Sequence, residues 1–288
     1  MVTSTCNPFF ICLPMTSSGG SWIYDVTVYP KNLTGIPSLE KTLREAKADT
    51  GKTDSYAHTG TASAGDTIDY QIISTLPSIT SEATYLSCYT FIDTLSKGLT
   101  YTKGDVALEI FSDAACKNAV TSWKETDGYF SVSYNDAQDG KTAMTVEMTD
   151  KGLAEINKSK AVYSDANMVN SGFSDCTMRL TYTAKVDSDN SLVVGDKGND
   201  NKVVLTWKRT SETFYDTLVD DAHVYTYGID LTKLFSDGKG DFSKVEFLVQ
   251  NKTDNYFVKA QLNEDEGVYY VTGHTTNKED ATHFVPVK

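Results

Sequence analysis

The chain has 288 residues, 40% of them hydrophobic, with 39 Asp and Glu against 26 Lys and Arg and a formal net charge of −13. That length holds two domains of ordinary size, and the apolar fraction supports a packed core. The acidic balance excludes nucleic acid as a partner, because neutralising phosphates needs a basic face, and no apolar run approaches the roughly 18 to 20 residues of a membrane span.

Phe9 to Leu13 is apolar but short, follows no basic residue and ends at Pro14, so it does not read as a signal peptide. An exported chain with this beginning would lack its true start. "LPMTS", Leu13 to Ser17, reads as a strand. "SWIYDVTVYPKN", Ser21 to Asn32, is a second strand that runs into Tyr29-Pro30 and then presents Lys31. Residues 1–32 therefore read as the tail of a domain that is mostly absent.

Residues 33–212 carry short alternating runs, among them "TIDYQIIS", "TMRLTYTAKV" and "NKVVLTWK", separated by turn clusters such as "SAGD", "DAQDG" and "VGDKGND". This is the pattern of an all-β sandwich. One segment departs from it: Thr149 to Ser159, "TDKGLAEINKS", predicts a single short helix. The polar stretch 213–222 reads as a linker. Residues 223–288 open a further β domain with "HVYTYGIDLTKLF" and "VEFLVQN", and this domain too reads as cut short.

The five cysteines, Cys6, Cys12, Cys88, Cys116 and Cys176, have long irregular spacings without C-x-x-C, and none of the four histidines sits at metal-ligand spacing. No metal site and no cofactor is expected. Free thiols are favoured, with a Cys88–Cys176 disulfide as the alternative.

Side chains alternate across a strand, so positions i, i+2 and i+4 share a face. Lys41 shares one with Leu39 and Leu43, Asp93 with Phe91 and Leu95, and Asn201 with Val203, Leu205 and Trp207. Each alone has an ordinary explanation: a snorkelling lysine, a turn aspartate, an asparagine at a strand start. Together they suggest a reaction. Burial disfavours the ammonium and the carboxylate alike. A neutral lysine amine is a nucleophile, and a protonated aspartate can polarise an amide carbonyl. The product would be an amide between the Lys41 and Asn201 side chains, with ammonia released. Asn199 lies on the same face as Asn201 and is the rival acceptor. Lys47, set among polar residues, is a weaker rival donor.

Several stretches bear a family resemblance. "WIYDVTVYPKN" is similar to the pilin motif of Gram-positive backbone (major) pilins. "YTFIDTLSKGLTY" and "TYTAKVDSDNSLVVGDKGNDNKVVLTW" resemble their isopeptide-forming middle domain. "VYTYGIDLTKLFSDGKGDFSKVEFLVQN" resembles the opening of the collagen-adhesin B-type domain that follows it. The resemblance implies tandem immunoglobulin-like β-sandwich domains (CnaA/CnaB-like) and a structural subunit of a covalent pilus, on the surface of a Gram-positive cell wall. Tyr29, Pro30, Lys31 and Asn32 would be the pilin motif, with Lys31 the amine that accepts the preceding subunit from a sortase. Lys41, Asp93 and Asn201 match the family's isopeptide lysine, assisting acid and acceptor. Lys233, on a face with Ile229, Leu231 and Phe235, matches the donor of the next domain. Its acid and acceptor partners would lie further on, so no bond is expected there, and Glu246 is a core-strand residue rather than that acid.

The chain departs from the family in having no Leu-Pro-x-Thr-Gly signal and more cysteines than expected. The implied partners are other pilin subunits, a sortase and host surface ligands. The main alternative is a surface adhesin that uses the same domains as a stalk or ligand-binding module; fold alone does not choose between these, and the tetrad at 29–32 favours the pilin. An enzyme is disfavoured, since no carboxylate pair stands out and most aspartates fall in turns.

Overall fold

Along Thr67–Thr75, Ile68, Tyr70, Ile72 and Ser74 are buried while the residues between them are half-buried. A strand with one covered face imposes that period of two, and it recurs along the chain. The computed structural model describes residues 15–16, 22–23, 35–51, 53–79, 82–158, 162–164, 167–169 and 172–287.

Across the first two of these stretches β1 (Met15–Thr16) pairs antiparallel with β2 (Trp22–Ile23). The main body is a sandwich. Its strands are β3 (Glu40–Glu45), β4 (Thr59–Thr61), β5 (Thr67–Thr75), β6 (Leu86–Leu95), β7 (Leu99–Tyr101), β8 (Ala107–Phe111), β9 (Ala119–Lys124), β10 (Phe130–Asp136) and β11 (Thr142–Met148). An antiparallel pair, β12 (Val162–Ser164) and β13 (Asn167–Val169), follows, then β14 (Thr177–Val186), β15 (Asn199–Arg209) and β16 (Asp216–Tyr225). One sheet has the order β3-β5-β14-β8-β9, with β7 also on β14. The other has the order β10-β11-β6-β15-β16-β4, antiparallel except where β4 runs parallel to β16. The core between them includes Tyr70, Ile72, Tyr89, Phe91, Leu180, Val203 and Leu205, all essentially without exposure.

The helix expected near 149–159 is α2 (Asp150–Asn157), which follows a shorter α1 (Lys47–Thr50). Thr149 caps α2 by accepting from the Gly152 amide at 3.2 Å, as a threonine N-cap does. The Asn157 side chain at its far end exchanges two 2.8 Å hydrogen bonds with the Leu86 backbone, fastening the helix to β6.

Two boundaries differ from expectation. Residues 213–222 are no linker: β16 begins within them and pairs with β15 from Trp207↔Asp216 to Asn199↔Val224. The first half of β16 buries little: Leu218 packs against the core half-buried, and only Ala222 and Val224 are fully buried. Its place is held by backbone pairing, which hydropathy does not record. The alternation from Tyr227 to Phe235 predicts the continuation of a strand, yet the run contains none; Ile229, Leu231 and Leu234 are more than 60% exposed. Beyond it, β17 (Gln250–Asn251), β18 (Tyr256–Asn263) and β19 (Val268–Thr275) form a three-stranded sheet. "VEFLVQ" contributes the start of β17 and the Val249 carbonyl, which accepts the Val258 amide at 3.0 Å, and beside the sheet the Phe247↔Phe284 bridge; Glu246 is exposed beside His283, 2.8 Å away.

Gly152 lies against the start of β10, where an added Cβ would meet the Tyr129 carbonyl oxygen at 2.0 Å. That oxygen already accepts from the Thr149 amide, so it has no room to retreat. Alanine is the better helix former by about 1 kcal/mol, but overpacking costs about 1 to 3 kcal/mol. Gly152→Ala is expected to lower the stability of the sandwich, read as an earlier midpoint in urea unfolding with an unchanged slope.

Candidate functional site

β3 stands at the edge of one sheet, and Lys41 is its second residue. The pairing Lys41↔Ile72 aims its side chain into the sandwich, where it has no solvent exposure. β6 and β15 are neighbours in the facing sheet. Their register sets Asp93 opposite Val203 and Asn201 opposite Leu95, so Asp93 and Asn201 leave the same face of adjacent strands toward Lys41. All three side chains are fully buried. The Lys41 Nζ donates to Asp93 Oδ2 in a very close buried ion pair.

Three phenols surround this pair. Tyr182, on β14, accepts from Lys41 Nζ at 2.6 Å and from Asn201 Nδ2 at 2.7 Å, and donates to Asp93 Oδ1 at 2.8 Å. Tyr101 donates to Asp93 Oδ1 at 2.7 Å. Tyr70 stacks on Tyr182 with ring centroids 5.3 Å apart, and Lys41 Nζ lies 5.0 Å and 5.2 Å from the two ring centres. These ring faces offer the ammonium some cation–π attraction. Burial nonetheless pulls the Lys41 amine below its ordinary range, with Asp93 and then Asp220 acting in the opposite direction. Burial, reinforced by the neighbouring Asp93, pushes the Tyr182 and Tyr101 hydroxyls up, so both stay protonated donors. Asp220 of β16 accepts the Lys41 backbone amide at 2.6 Å and holds β3 at the second sheet.

The two candidate acceptors differ in what their amides already do. Asn199 is engaged at both ends: Oδ1 accepts the Val193 amide at 3.0 Å and Nδ2 donates to the Val193 carbonyl at 2.9 Å. It ties down the loop before β15. Asn201 Oδ1 is buried with no hydrogen-bond partner, and so is the Tyr70 hydroxyl. An unpaired buried carbonyl is costly in a folded protein, and here it belongs to the group whose carbon would be attacked. Lys47, the rival donor, is exposed on α1. Lys233 is likewise exposed, on a segment without strand structure and 5.1 Å from the Phe235 ring centre, so it does not share a covered face with Ile229 and Leu231.

Tyr29, Pro30, Lys31 and Asn32 lie outside the described residues, as do Cys6 and Cys12. Cys88, Cys116 and Cys176 are free thiols. Asp49, Asp66 and His274 each bring one ligand atom within 4.8 Å of the others, a grouping that could hold a cation. It joins three distant segments, which no sequence spacing would reveal. Next to it the Glu45 carboxyl is pushed up to about 8 by burial and by Asp66.

Two features of the surroundings escaped the sequence reading. Tyr70, Tyr101 and Tyr182 carry no mark in the sequence beyond an alternation that puts them on covered faces. Arg209, at the end of β15, has 1% exposure and donates to the Gly35 carbonyl at 2.6 Å, with Glu212 beside it. It clamps the chain where it enters the sandwich. Gly35 has φ +98°, and a Cβ there would meet the Ser78 amide at 2.6 Å, so glycine is required on both counts.

No family model and no curated protein matches this chain. Solved structures do. The T6 backbone pilin of serotype M6 Streptococcus pyogenes is 18% identical over 84% of this chain and 46% of its own, with a TM-score of 0.50. A 35 kDa C-terminal fragment of the major pilin GBS80 of Streptococcus agalactiae is 13% identical over 78% of this chain and 62% of its own, at 0.44. The major pilin SpaA of Corynebacterium diphtheriae is 17% identical over 69% and 39%, also at 0.44. The chain thus spans less than half the length of the T6 pilin. What it shares with that pilin is the fold: the immunoglobulin-like sandwich architecture of a Gram-positive backbone pilin.

The two asparagines should separate by experiment. Asn199→Ala removes both bonds to Val193 and is expected to destabilise the sandwich by about 1 to 3 kcal/mol. Its intact mass should fall short of its own calculated mass by the same amount as the parent's does, as read alongside denaturant unfolding.

Proposed function

We propose that this chain is a structural subunit of a covalently polymerised cell-surface pilus, and that its sandwich domain crosslinks itself through Lys41 and Asn201. The observation that carries this reading is the burial of an amine, a carboxyl and a primary amide together between facing sheets. Transfer of one proton from Lys41 to Asp93 removes two charges from a medium that solvates neither. The neutral amine then attacks the Asn201 carbonyl carbon. Its lone pair forms the new C–N bond, Nζ gives up one proton and Nδ2 gains one, and the bond to Nδ2 then breaks with ammonia leaving. Asp93 assists by taking up the first proton. No cofactor takes part.

The crosslink would join β3 to β15, tying one sheet to the other and enclosing the chain from 41 to 201. A pilus carries tension along one line of covalent links, whereas a noncovalent domain is stabilised by only about 5 to 15 kcal/mol. By analogy with a disulfide, the tie adds about 2 to 4 kcal/mol by restricting the unfolded chain, and a reductant does not open it. Lys31 would be the intersubunit amine. Proline before it fixes φ and withholds a backbone donor, favouring an extended, accessible presentation. Its partners would be a sortase, which delivers the preceding subunit as a thioester, and the pilin subunits on either side, at the wall of a Gram-positive cell.

Intact mass of the purified, reduced chain tests the crosslink. Loss of ammonia lowers the mass by about 17 Da for each amide formed. The parent is expected to be light by one such unit, with Lys41→Ala and Asn201→Ala at their calculated masses. A parent at its full calculated mass would sink the proposal.

Asp93→Ala is expected to lack the bond and to leave the Lys41 amine buried without its partner, a loss of about 3 to 5 kcal/mol for the broken pair alone. Its melting temperature and protease resistance should fall well below the parent's; equal values would argue against any role for Asp93.

A further inference from the structure

Exchanging an asparagine amide for a lysine amide requires a second proton movement, from the attacking nitrogen to the leaving one. After attack, the nucleophilic nitrogen carries one proton too many and the leaving nitrogen one too few. An amide anion is a prohibitively poor leaving group, so Nδ2 must be protonated before its bond to carbon breaks. Asp93 is poorly placed for this transfer. Its Oδ2 faces Lys41, and its Oδ1 accepts from Tyr101 and Tyr182.

The Tyr182 hydroxyl bridges the two nitrogens, with Lys41 Nζ at 2.6 Å and Asn201 Nδ2 at 2.7 Å. Both distances are those of good hydrogen bonds. Its own proton points to Asp93 Oδ1 at 2.8 Å. Tyr101 is bonded to Asp93, at its backbone carbonyl and its carboxylate. Tyr70 stacks on the Tyr182 ring, yet its hydroxyl has no hydrogen-bond partner. Among these phenols the connecting geometry belongs to Tyr182.

We infer that Tyr182 is a catalytic residue of the crosslinking reaction, relaying a proton from the Lys41 nitrogen to the Asn201 leaving nitrogen. This rests on the proposed Lys41–Asn201 bond. The step balances. In the tetrahedral intermediate Nδ2 is no longer conjugated and becomes a basic amine, so the sense of its hydrogen bond to the phenol reverses. The phenol passes its proton to Nδ2 and takes one from Nζ. The C–N bond then breaks, the carbonyl re-forms, and neutral ammonia departs. Tyr182 ends as it began, and the proton first given to Asp93 is not consumed.

The test is the time course of the about 17 Da loss in the full chain, made by cell-free synthesis, quenched in acid at intervals and read by intact mass. Tyr182→Phe keeps the ring and its stacking, and is expected to slow the loss by about 100-fold or more, the usual scale for a positioned acid–base group. Tyr89→Phe removes a buried phenol hydroxyl of the same core that bonds Ser74 at 2.6 Å and none of the reacting groups, and should convert at the parental rate. Difluorotyrosine at position 182 preserves the shape while making the phenol more acidic, and should change the rate. A purely packing role would leave it unmoved. Conversion of Tyr182→Phe as fast as the parent would overturn the relay. Should Tyr182→Phe fail to fold, an unchanged rate with difluorotyrosine would overturn it instead. A parent that never loses the mass would remove the crosslink itself, and the relay with it; a parent that converts alongside an equally fast Tyr182→Phe would remove the relay alone.

Discussion

A charged pair buried where two sheets face each other is the constraint around which this sandwich is arranged. Lys41 and Asp93 have no solvent exposure, and desolvating either is expensive unless the other is in contact with it. That requirement reaches well beyond the two side chains. β3 has to lie at one sheet edge in the register Lys41↔Ile72, while β6 lies in the opposite sheet with Asp93 turned inward. The phenols of Tyr101 and Tyr182 supply the donors that Asp93 still needs, and Asp220 secures the backbone of β3. A one-residue slip of any of these strands would turn its polar residue to the other face and leave its partner buried alone.

Seen as folding energetics alone, such a cluster is a poor choice. Apolar side chains of similar volume commonly serve a core as well or better. The unpaired Asn201 carbonyl and Tyr70 hydroxyl make the arrangement less favourable still. These costs make sense where the groups are held for a reaction. Strained and incompletely satisfied groups gather at functional sites, with the surrounding packing holding them in place. The packing here is dense and aromatic, and it excludes water from a step in which a neutral amine must outlive protonation.

If the proposed crosslink forms, the sandwich offers a path for tension. The first described strand after the pilin-like tetrad in sequence is β3, and the clamp between Arg209 and the Gly35 carbonyl lies between the two. Force entering from that side would meet first the clamp, then the Lys41 side chain. A covalent tie from β3 to β15 would carry it across the sheets and bypass the long middle of the chain. The segment from Tyr227 to Phe235, with its exposed Ile229, Leu231 and Leu234, has no comparable anchorage.

Much of this was legible in the sequence because a strand's period of two is written in single residues. Alternation placed Lys41 with Leu39 and Leu43, Asp93 with Phe91 and Leu95, and Asn201 with Val203 and Leu205; it marked the sandwich and, by its failure, the helix after Thr149. It could not recover β16, whose outer half has no buried apolar row and depends on hydrogen bonds to β15. It overread "YGIDLTKLF", where the pattern of a strand occurs without a sheet to receive it. The sequence by itself determined which residues face inward along each strand, since that follows from local geometry. Only the tertiary structure decided which inward residues meet: that Asn199 is occupied by Val193 while Asn201 is not, and that one phenol from β14 touches the amine, the acid and the amide together. Those contacts depend on strand order and register between two sheets, and residues 41, 93, 182 and 201 carry no local trace of them.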